Sequence, residues 1–367
     1  MKAFGSFLVA LVLAGVLIAG CGQAAPASAP TTSSTAPKAA EPTKAAAPAT
    51  GTSAATAAPT AAPKVDYPQK GRAITYIAPY AAGGSSDTIM RLMQPILEKQ
   101  LGVPINIVNK EGAGSQVGTT ELALSKPDGY TFGYTSLPTV NTIYLDPDRK
   151  AAFSRKDLQA LAMHDIDYNV LAVKADSPIK TVKDLVDAAK AKPGKLSITS
   201  SGIMSITHMG ILSFEQAAGI DINIVQFNGQ GPATTALLGG HVDVTCGYVG
   251  TLASAIKNNS IRVIGVMGPE RNKFVPDVPT VQEQGIKDVI APNIRGFIMP
   301  AGAPQQVIDT LANALKAATE DPQHVKQMEE QYYTVRYAGP KEFGAMMDEW
   351  DTRVKPLMDL AKKDTAQ

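Results

Sequence analysis

The chain has 367 residues, which is enough for one large domain or two domains of ordinary size. Its 34 Lys and Arg residues nearly balance its 33 Asp and Glu residues, so there is no overall charge of the kind that attracts nucleic acid. A hydrophobic content of 44% is normal for a globular protein and supplies an ample core, but it indicates no function.

The N-terminus predicts export and a lipid anchor. Met1-Lys2 is a short basic start, and the apolar run at 7–19 is too short to span a bilayer comfortably but typical of a signal peptide. Small residues precede Cys21, as in a bacterial lipobox, so we expect residues 1–20 to be removed and Cys21 to carry lipid. Several acyl chains would hold the protein on the outer face of the bacterial cell membrane, in the periplasm or the cell-wall space. An ordinary secretory signal with a chance cysteine is the alternative.

A low-complexity segment follows the lipobox. Residues 22–64 are almost entirely Ala, Pro, Thr and Ser, without the large apolar side chains that offset the entropy of folding. We therefore predict a tether at 21–66 and a folded unit that begins near Tyr67. Once Cys21 is lipidated, Cys246 is the remaining thiol, and its apolar, strand-like surroundings favour a small buried side chain.

Strand and helix patterns alternate along the rest of the chain. Short β-rich runs predict strands at 73–77, 105–108, 130–135, 195–199, 222–227, 242–247 and 261–267. Helical patterns are centred on 88–93, 118–125, 181–191, 205–218 and 232–238, and two mostly helical stretches, 304–331 and 340–362, follow. Strands spaced by helices predict parallel sheets and an α/β fold. There are too many such units for one comfortable sheet, so we predict two lobes.

The first strand-to-helix junction, APYAAGGSSD at 78–87, predicts a cradle for an anion. Gly83 and Gly84 let a ligand approach the backbone, and Ser85 and Ser86 offer hydroxyl groups. The unpaired N–H groups at the start of a helix favour a carboxylate or a phosphate. Asp87 is itself an anion, so we interpret it as the N-cap of the helix.

Two later junctions repeat this pattern. One combines Ser200-Ser201-Gly202 with the helix start at 205–208, and the other is Phe227-Asn228-Gly229 before Gln230-Gly231-Pro232. All three junctions are rich in neutral donors and poor in Lys and Arg. They predict an anion held by backbone amides and hydroxyl groups rather than by a salt bridge.

Several motifs together indicate a family. Pro79–Asp87 with Arg91 matches the signature Pro-x-x-x-Gly-Gly-x-x-Asp…Arg. Further matches lie in family order at 109–118, 127–131, 227–231, 239–243 and 300–304. The chain from Tyr67 onward thus resembles the solute-binding proteins of tripartite tricarboxylate transporters, also called Bug receptors.

The resemblance implies an α/β, two-lobed periplasmic-binding-protein (Venus-flytrap) fold, type II-like. Lobe 1 would comprise 67–167 and 294–367, lobe 2 would comprise 168–293, and hinges would lie near 167–173 and 293–300. The lobes would close on a small organic acid and deliver it to membrane transporter subunits. The expected protein is a monomeric receptor rather than an enzyme, and it needs no cofactor and no nucleic acid.

The resemblance also implies ligand-binding residues in both lobes. In lobe 1 these are Tyr80, Gly83, Gly84, Ser85, Ser86 and Ser136. In lobe 2 they are Ser200, Ser201, Gly202, Thr207, His208, Phe227, Asn228 and Gly229, with Asp243 shaping the pocket. Whether Asp87, Asp243 and Arg295 contact the ligand is left open.

The family pattern is not matched everywhere. Tyr80 and Ala82 stand where the family often has Phe and Pro, and His241 stands where Gln is common. The ligand class therefore stays open between a di- or tricarboxylate, an acidic amino acid and an aromatic carboxylate. Pro95 falls inside the first helix and predicts a kink or a shifted register there.

Other classes of function compete with the receptor. Gly112 to Gly118 is spaced G-x-G-x-x-x-G, one residue longer than a dinucleotide-binding fingerprint. A secreted hydrolase acting on a small carboxylate or ester could assemble Ser201, His208 and Asp243, although the G-x-S-x-G motif is absent. An adhesive lipoprotein would bind no small molecule tightly. The 4 histidines are scattered without the spacing of metal ligands, so no metal site is expected.

Overall fold

The structure, a computed structural model, describes residues 66–365. The predicted signal peptide, the lipidated Cys21 and residues 21–65 of the predicted tether lie outside the described residues. Within 66–365, none of the helices combines the length and the apolar character needed to cross a membrane.

Strands and helices alternate along the described chain, as the sequence predicts. The strands are β1 (Ile74–Ala78), β2 (Ile105–Asn109), β3 (Thr131–Leu137), β4 (Leu158–Lys174), β5 (Ser197–Ser200), β6 (Asn223–Gln226), β7 (Val244–Tyr248), β8 (Ile261–Val266), β9 (Pro292–Pro300) and β10 (Val335–Ala338). The α-helices are α1 (Ser85–Leu101), α2 (Gln116–Ala123), α3 (Thr139–Leu145), α4 (Val182–Ala191), α5 (Ile206–Ala218), α6 (Gln230–Leu238), α7 (Val249–Lys257), α8 (Gln305–Thr319), α9 (Pro322–Glu330) and α10 (Pro340–Thr365). Short 3₁₀ turns lie at Ala113–Ser115, Pro147–Arg149 and Arg155–Asp157.

The strands form one hydrogen-bonded path in the order β2-β1-β3-β9-β4-β7-β5-β6, and β10 and β8 also pair with β4. The pairs β1–β2, β1–β3, β5–β6 and β5–β7 are parallel, as predicted. The pairs in the centre, β3–β9, β4–β9 and β4–β7, are antiparallel. The parallel pairing that the sequence predicts holds at both ends of the path, and the centre is antiparallel because long strands recross there instead of following a helical crossover.

The long strand β4 divides the path into two half-sheets. Its residues Leu158–Tyr168 pair with β9, whereas Asn169–Lys174 pair with β7 and β8. The first half-sheet contains β1, β2, β3, β9, β10 and the start of β4, and the second contains the end of β4 and β5 to β8. β9 is buried along its whole length. The predicted hinge ranges, 167–173 and 293–300, lie within β4 and β9.

Helices cover both half-sheets and bury their cores. In the first, α1 and α8 pack against aromatic side chains of the strands, including Tyr76, Phe132 and Phe297. In the second, α4 and α5 cover β5 and β7, where Cys246 is fully buried and free. This confirms the prediction for Cys246, and burial raises the pKa of its thiol.

The C-terminal helix α10 contacts both halves of the molecule. Its side chains, among them Trp350 and Met358, share a buried cluster with strand residues of the first half-sheet and with Met209 and Leu212 of α5. The first helix, α1, continues through Pro95 to Leu101 without a break. Pro95 therefore lies inside a continuous helix, and the predicted kink or register shift stays a prediction.

Candidate functional site

A cleft of about 640 Å³ lies at the carboxyl ends of β1, β3, β5 and β7. In open α/β sheets this is the edge where ligands bind. The first half-sheet contributes Tyr80, Gly84, Ser85 and Ser136 to its walls. The second contributes Ser201, Gly202, Asn228 and Gly229. The structure thus brings eight of the predicted ligand-binding residues to one cavity.

The first junction begins its helix earlier than the sequence indicates. Gly84 is the N-cap of α1, and Ser85 is its first residue. Asp87 is therefore in the first turn and is not the N-cap, which corrects the prediction. Its carboxylate reaches back and accepts hydrogen bonds from the Gly83 amide and from Arg91 Nε, each at 2.9 Å. The hydrogen bond from Arg91 lowers the pKa of Asp87 most, burial opposes it, and the Gly83 amide lowers the pKa further.

This arrangement leaves the start of α1 open towards the cleft. The left-handed φ of 78° at Gly83 turns the chain, a conformation that favours glycine. Gly84 gives no side-chain cap, so the first-turn amides have no side-chain partner at the N-cap. Such amides and the partial positive charge of the helix N-terminus suit an anion. The Gly83 amide itself is already used by Asp87 and does not line the cleft.

The two serines of this junction point in different directions. Ser85 lines the cleft, whereas Ser86 is fully buried and lies outside its walls. The backbone carbonyl of Ser86 accepts a hydrogen bond from Tyr76 Oη at 2.9 Å. On the cleft wall beside Ser85, the Tyr80 and Ser136 hydroxyl oxygens lie 3.0 Å apart. Three of the four predicted hydroxyl-bearing residues on this side, Tyr80, Ser85 and Ser136, therefore line the cleft, and Ser86 does not.

In the second half-sheet, buried hydroxyl groups form hydrogen bonds to the loop after β5, which carries Ser201 and Gly202. Thr207 Oγ1 accepts from the Ser201 amide at 2.9 Å and lies 2.8 Å from Ser201 Oγ. The Gly229 amide donates to Ser201 O at 3.1 Å, which ties the loops after β5 and β6 together. Ser200 and Thr207 are fully buried and lie outside the cleft walls. They position the loop that presents Ser201 and Gly202.

Phe227 also supports the loop from outside the cleft walls. Its amide donates to Ser200 O at 2.9 Å, and its ring packs against the hydrophobic cluster beneath α6 and α7. It therefore contributes to the site through the backbone that precedes Asn228.

Two predicted site residues make other contacts. His208 is fully buried in α5, where Nδ1 accepts from the Met204 amide at 3.2 Å and Nε2 lies 3.0 Å from Asp364 of α10. Asp243 precedes β7, at the opposite end of the strands from the cleft, and accepts from the amide and hydroxyl of Ser197 at 2.8 and 2.7 Å. Both residues lie outside the cleft walls, which corrects their predicted place in the pocket.

The same contacts bear on the hydrolase alternative. Ser201 Oγ lies against Thr207, His208 faces α10, and Asp243 holds the first residue of β5. A catalytic triad needs a chain of hydrogen bonds from nucleophile to base to carboxylate. These three residues do not form one in this structure. Among residues 66–365 there is also no group of three or more His, Cys, Asp or Glu side chains that could hold a metal ion.

The cleft contains charged residues that the three junction motifs do not include. Arg295 of β9, Arg149 of the 3₁₀ turn after α3, and Glu111 after β2 all line it. Arg295 is buried and pairs with Asp165 of β4, Nε to Oδ2 at 2.6 Å. The sequence motifs leave the role of Arg295 open and do not indicate Arg149, because neither residue lies in a Gly/Ser junction.

Comparisons with known proteins agree with this architecture. Residues 89–361 match the family model described as tripartite tricarboxylate transporter family receptor. The chain is similar to a "UPF0065 protein in gbd 5'region" of Cupriavidus necator, with 31% identity over 264 residues, 70% of this chain and 77% of that protein.

Solved structures give the same result. The periplasmic binding protein BugD is 25% identical, with a TM-score of 0.68 over 81% of this chain and 99% of that one. MatC from Rhodopseudomonas palustris with bound malate is 26% identical, with a TM-score of 0.69 over 80% of this chain and 100% of that one. The predicted resemblance and fold class are thereby confirmed. The chain belongs to the family of tripartite tricarboxylate transporter receptors, and it is a solute-binding receptor with the two-lobed α/β fold of periplasmic binding proteins.

Proposed function

We propose that this receptor captures a small carboxylate-bearing molecule in the cleft between its lobes and releases it, chemically unchanged, to the subunits of a tripartite tricarboxylate-type membrane transporter. The observation that carries the proposal is that all three Gly/Ser junctions contribute residues to one cleft. The carboxylate would receive hydrogen bonds from the first-turn amides of α1 and from Ser85 on one wall. On the other wall the donors would be Ser201 and the loop of Gly202, Asn228 and Gly229.

The malate bound by MatC supports a carboxylate ligand for this chain. The cleft volume of about 640 Å³ suits a small organic acid, since ligand pockets of 300–1,000 Å³ are typical of small molecules. Tyr80 and Tyr134 add aromatic surface to the lining. The malate of MatC favours a di- or tricarboxylate for this chain, and the aromatic lining leaves an aromatic carboxylate as the alternative.

We further propose that the lobes are 67–167 with 294–367, and 168–293. The change of partners along β4 between Tyr168 and Asn169 supports the first boundary. β9 pairs with the first half-sheet from Pro292 onward, which supports the second boundary to within two residues. Ligand would favour a closed state through contacts that form only when both lobes meet it.

We also propose that the receptor acts as a monomer outside the cytoplasmic membrane, held there by lipid on Cys21 and a tether at 21–66. The lipobox-like residues before Cys21 support the anchor, and the Ala-, Pro-, Thr- and Ser-rich composition supports the tether. A receptor held on the membrane surface by a flexible tether stays close to a transporter embedded in that membrane.

Ligand identification tests the proposed function directly. Protein purified from its own host without denaturation should carry a small organic acid that native mass spectrometry detects. After removal of that ligand by unfolding and refolding, calorimetry should return reversible binding with one site per chain. Turnover of the ligand, or failure of malate and of a panel of mono-, di- and tricarboxylates to bind, would refute the proposal.

A further inference from the structure

The cleft contains an arginine, Arg149, that forms no ion pair with any of the residues that the structure describes. Arg149 ends the 3₁₀ turn Pro147–Arg149 and lines the cleft from the side of the first half-sheet. Its Nη1 donates to Ala113 O at 3.3 Å, and its guanidinium lies over Gly114, where an added Cβ would come within 3.7 Å of Nη1. Since a guanidinium carries five N–H donors, most of its hydrogen-bonding capacity remains available.

The acidic residues next to Arg149 in the sequence are engaged elsewhere. Asp146 Oδ1 lies 2.7 Å from Lys362 Nζ, and Asp148 Oδ2 lies 2.9 Å from the same nitrogen. No carboxylate within the described residues 66–365 forms an ion pair with Arg149. Arg149 is half-buried, and its burial lowers the pKa of the guanidinium, with Asp146 opposing. A half-buried cation without a paired anion is costly, so its position in a ligand cleft needs an explanation.

The other charged residues of the cleft differ from Arg149. The charge of Arg295 is balanced by Asp165, whose Oδ2 accepts a hydrogen bond from Nε at 2.6 Å and lies 2.5 Å from Nη2, although Nη2 itself forms no hydrogen bond among the described residues. Glu111 is exposed at the rim and would repel an anion. The remaining donors of the cleft walls are neutral amides and hydroxyl groups. Arg149 therefore differs from Arg295 in having no ion-pair partner among the described residues, and its guanidinium can give a charge-assisted, bidentate contact to a ligand.

We propose that Arg149 is a specificity-determining residue that binds a second anionic group of the ligand, so that the cleft selects molecules with two negative charges over molecules with one. This inference rests on the proposed function and deepens it. The first carboxylate would lie at the start of α1, where neutral donors suffice. The second would form an ion pair with Arg149, supplied by the wall of the cleft rather than by the Gly/Ser junctions.

Matched ligands and matched variants test the role of Arg149. Calorimetry would compare straight-chain dicarboxylates, from succinate to suberate, with the monocarboxylates of equal carbon number, from butanoate to octanoate. Malate would be compared with 3-hydroxybutanoate. The variants would be Arg149→Met, which removes the charge, Arg149→Lys, which retains it, and Arg336→Met, which removes an exposed arginine outside the cleft.

Of the matched pair that contains the tightest-binding ligand, we expect the wild type to bind the dicarboxylate more tightly than the monocarboxylate. Arg149→Met should lower the affinity for the dianion by roughly 10- to 150-fold, which is the range for loss of one hydrogen bond to a charged group. The affinity for the monoanion should stay unchanged within error. Arg149→Lys should restore part of the preference, and Arg336→Met should behave like the wild type. Added salt should weaken dianion binding more in the wild type than in Arg149→Met.

Two results would overturn the inference while the proposed function stands. One is an equal loss of affinity for the dianion and the monoanion in Arg149→Met, which would show that Arg149 only shapes the cleft wall. The other is unchanged dianion affinity in that variant. Thermal melts of each variant separate loss of binding from loss of folding. If the wild type binds no carboxylate in the panel, the proposed function fails first, and this inference fails with it.

Discussion

Arg295 of β9 and Asp165 of β4 form a buried ion pair between residues 130 positions apart in the sequence. It ties together the two long strands that recross the molecule beside the cleft. Burial by itself would raise the pKa of Asp165, but Arg295 and then His164 outweigh burial and hold that pKa below its usual range. The same pairing raises the pKa of Arg295 against the effect of burial. Both side chains are therefore charged, and each depends on the other.

The first prediction concerns this ion pair. Arg295→Met leaves the Asp165 carboxylate buried without its partner, so the free energy of unfolding should fall by about 3–5 kcal/mol. Adding Asp165→Asn should recover part of the loss, because the uncompensated charge is then gone. Urea unfolding followed by circular dichroism measures both variants.

Arg353→Met is the matched control for the ion pair. Arg353 forms an exposed i,i+4 pair with Glu349, so its loss should cost less than about 1 kcal/mol. Equal stabilities of Arg295→Met and the Arg295→Met, Asp165→Asn double variant would contradict the predicted dependence.

A second prediction concerns pH and Asp167, one residue before the change of partners in β4. Asp167 is buried, and its Oδ2 has no hydrogen-bond partner among the described residues. Burial, opposed by Arg295, raises the pKa of Asp167 from 3.8 to about 7. The folded state therefore keeps this proton up to about pH 7, while the unfolded state loses it near pH 3.8. The contribution of Asp167 to stability is present below pH 3.8 and is lost as the pH rises through 7.

Asp167→Asn removes this titration. The thermal stability of the variant relative to the wild type should therefore increase from pH 4 to pH 8, and differential scanning calorimetry at four pH values across that range measures it. A difference between variant and wild type that does not change with pH would show that Asp167 is ionised in the folded state throughout.

A third prediction separates the two serines at the start of α1. Ser85 lines the cleft, so Ser85→Ala should weaken carboxylate binding by roughly 10- to 150-fold through loss of one hydrogen bond to a charged group. Ser86 is fully buried outside the cleft walls, so Ser86→Ala should leave the affinity unchanged. Calorimetry with the co-purified ligand measures both, and a larger effect at Ser86 than at Ser85 would reverse the assignment.

A fourth prediction concerns closure of the lobes. Saturating ligand should reduce the radius of gyration, because the proposed closure would rotate the lobes about β4 and β9 onto the ligand. Small-angle X-ray scattering of ligand-free and saturated protein measures the change, and a variant that does not bind serves as the control. Identical scattering profiles would indicate a site that is already closed without ligand.

The fifth prediction concerns the anchor. Cys21→Ser should prevent acylation at residue 21, so the protein should leave the membrane fraction or stay unprocessed while keeping its ligand affinity. Fractionation, mass spectrometry of the N-terminus and calorimetry measure the three properties. Normal lipidation of the variant would refute the lipobox interpretation.

The features that the sequence predicted well are those controlled by neighbouring residues. Thr181 caps α4, accepting from the Asp184 amide at 3.1 Å, and Gly219 ends α5 with a left-handed φ of 61°. Such caps depend on side chains within one helical turn. The Gly/Ser junctions could be located for the same reason, since the residues that form each turn are adjacent in the sequence.

The features that the sequence did not predict depend on contacts between distant segments. The full length of β4, its change of partners and its pairing with β9 require residues more than a hundred positions away. Contacts between distant segments also determine three features of the site. These are the burial of Ser86, the contact of His208 with Asp364 and the presence of Arg149 in the cleft. A motif therefore located the loops of the site, but not which side chain of each loop faces the cleft.

The recrossing of β4 and β9 also has a consequence for the order in which the molecule folds. The first half-sheet needs β9, which pairs with β3 and β4 and comes after all of β5 to β8 in the chain. An emerging polypeptide therefore holds β1 to β3 without their central neighbour until most of the sequence has been made. Closing such long loops slows folding. The second half-sheet, whose strands β5 to β8 all precede β9 in the chain, can therefore pair before the first half-sheet is complete.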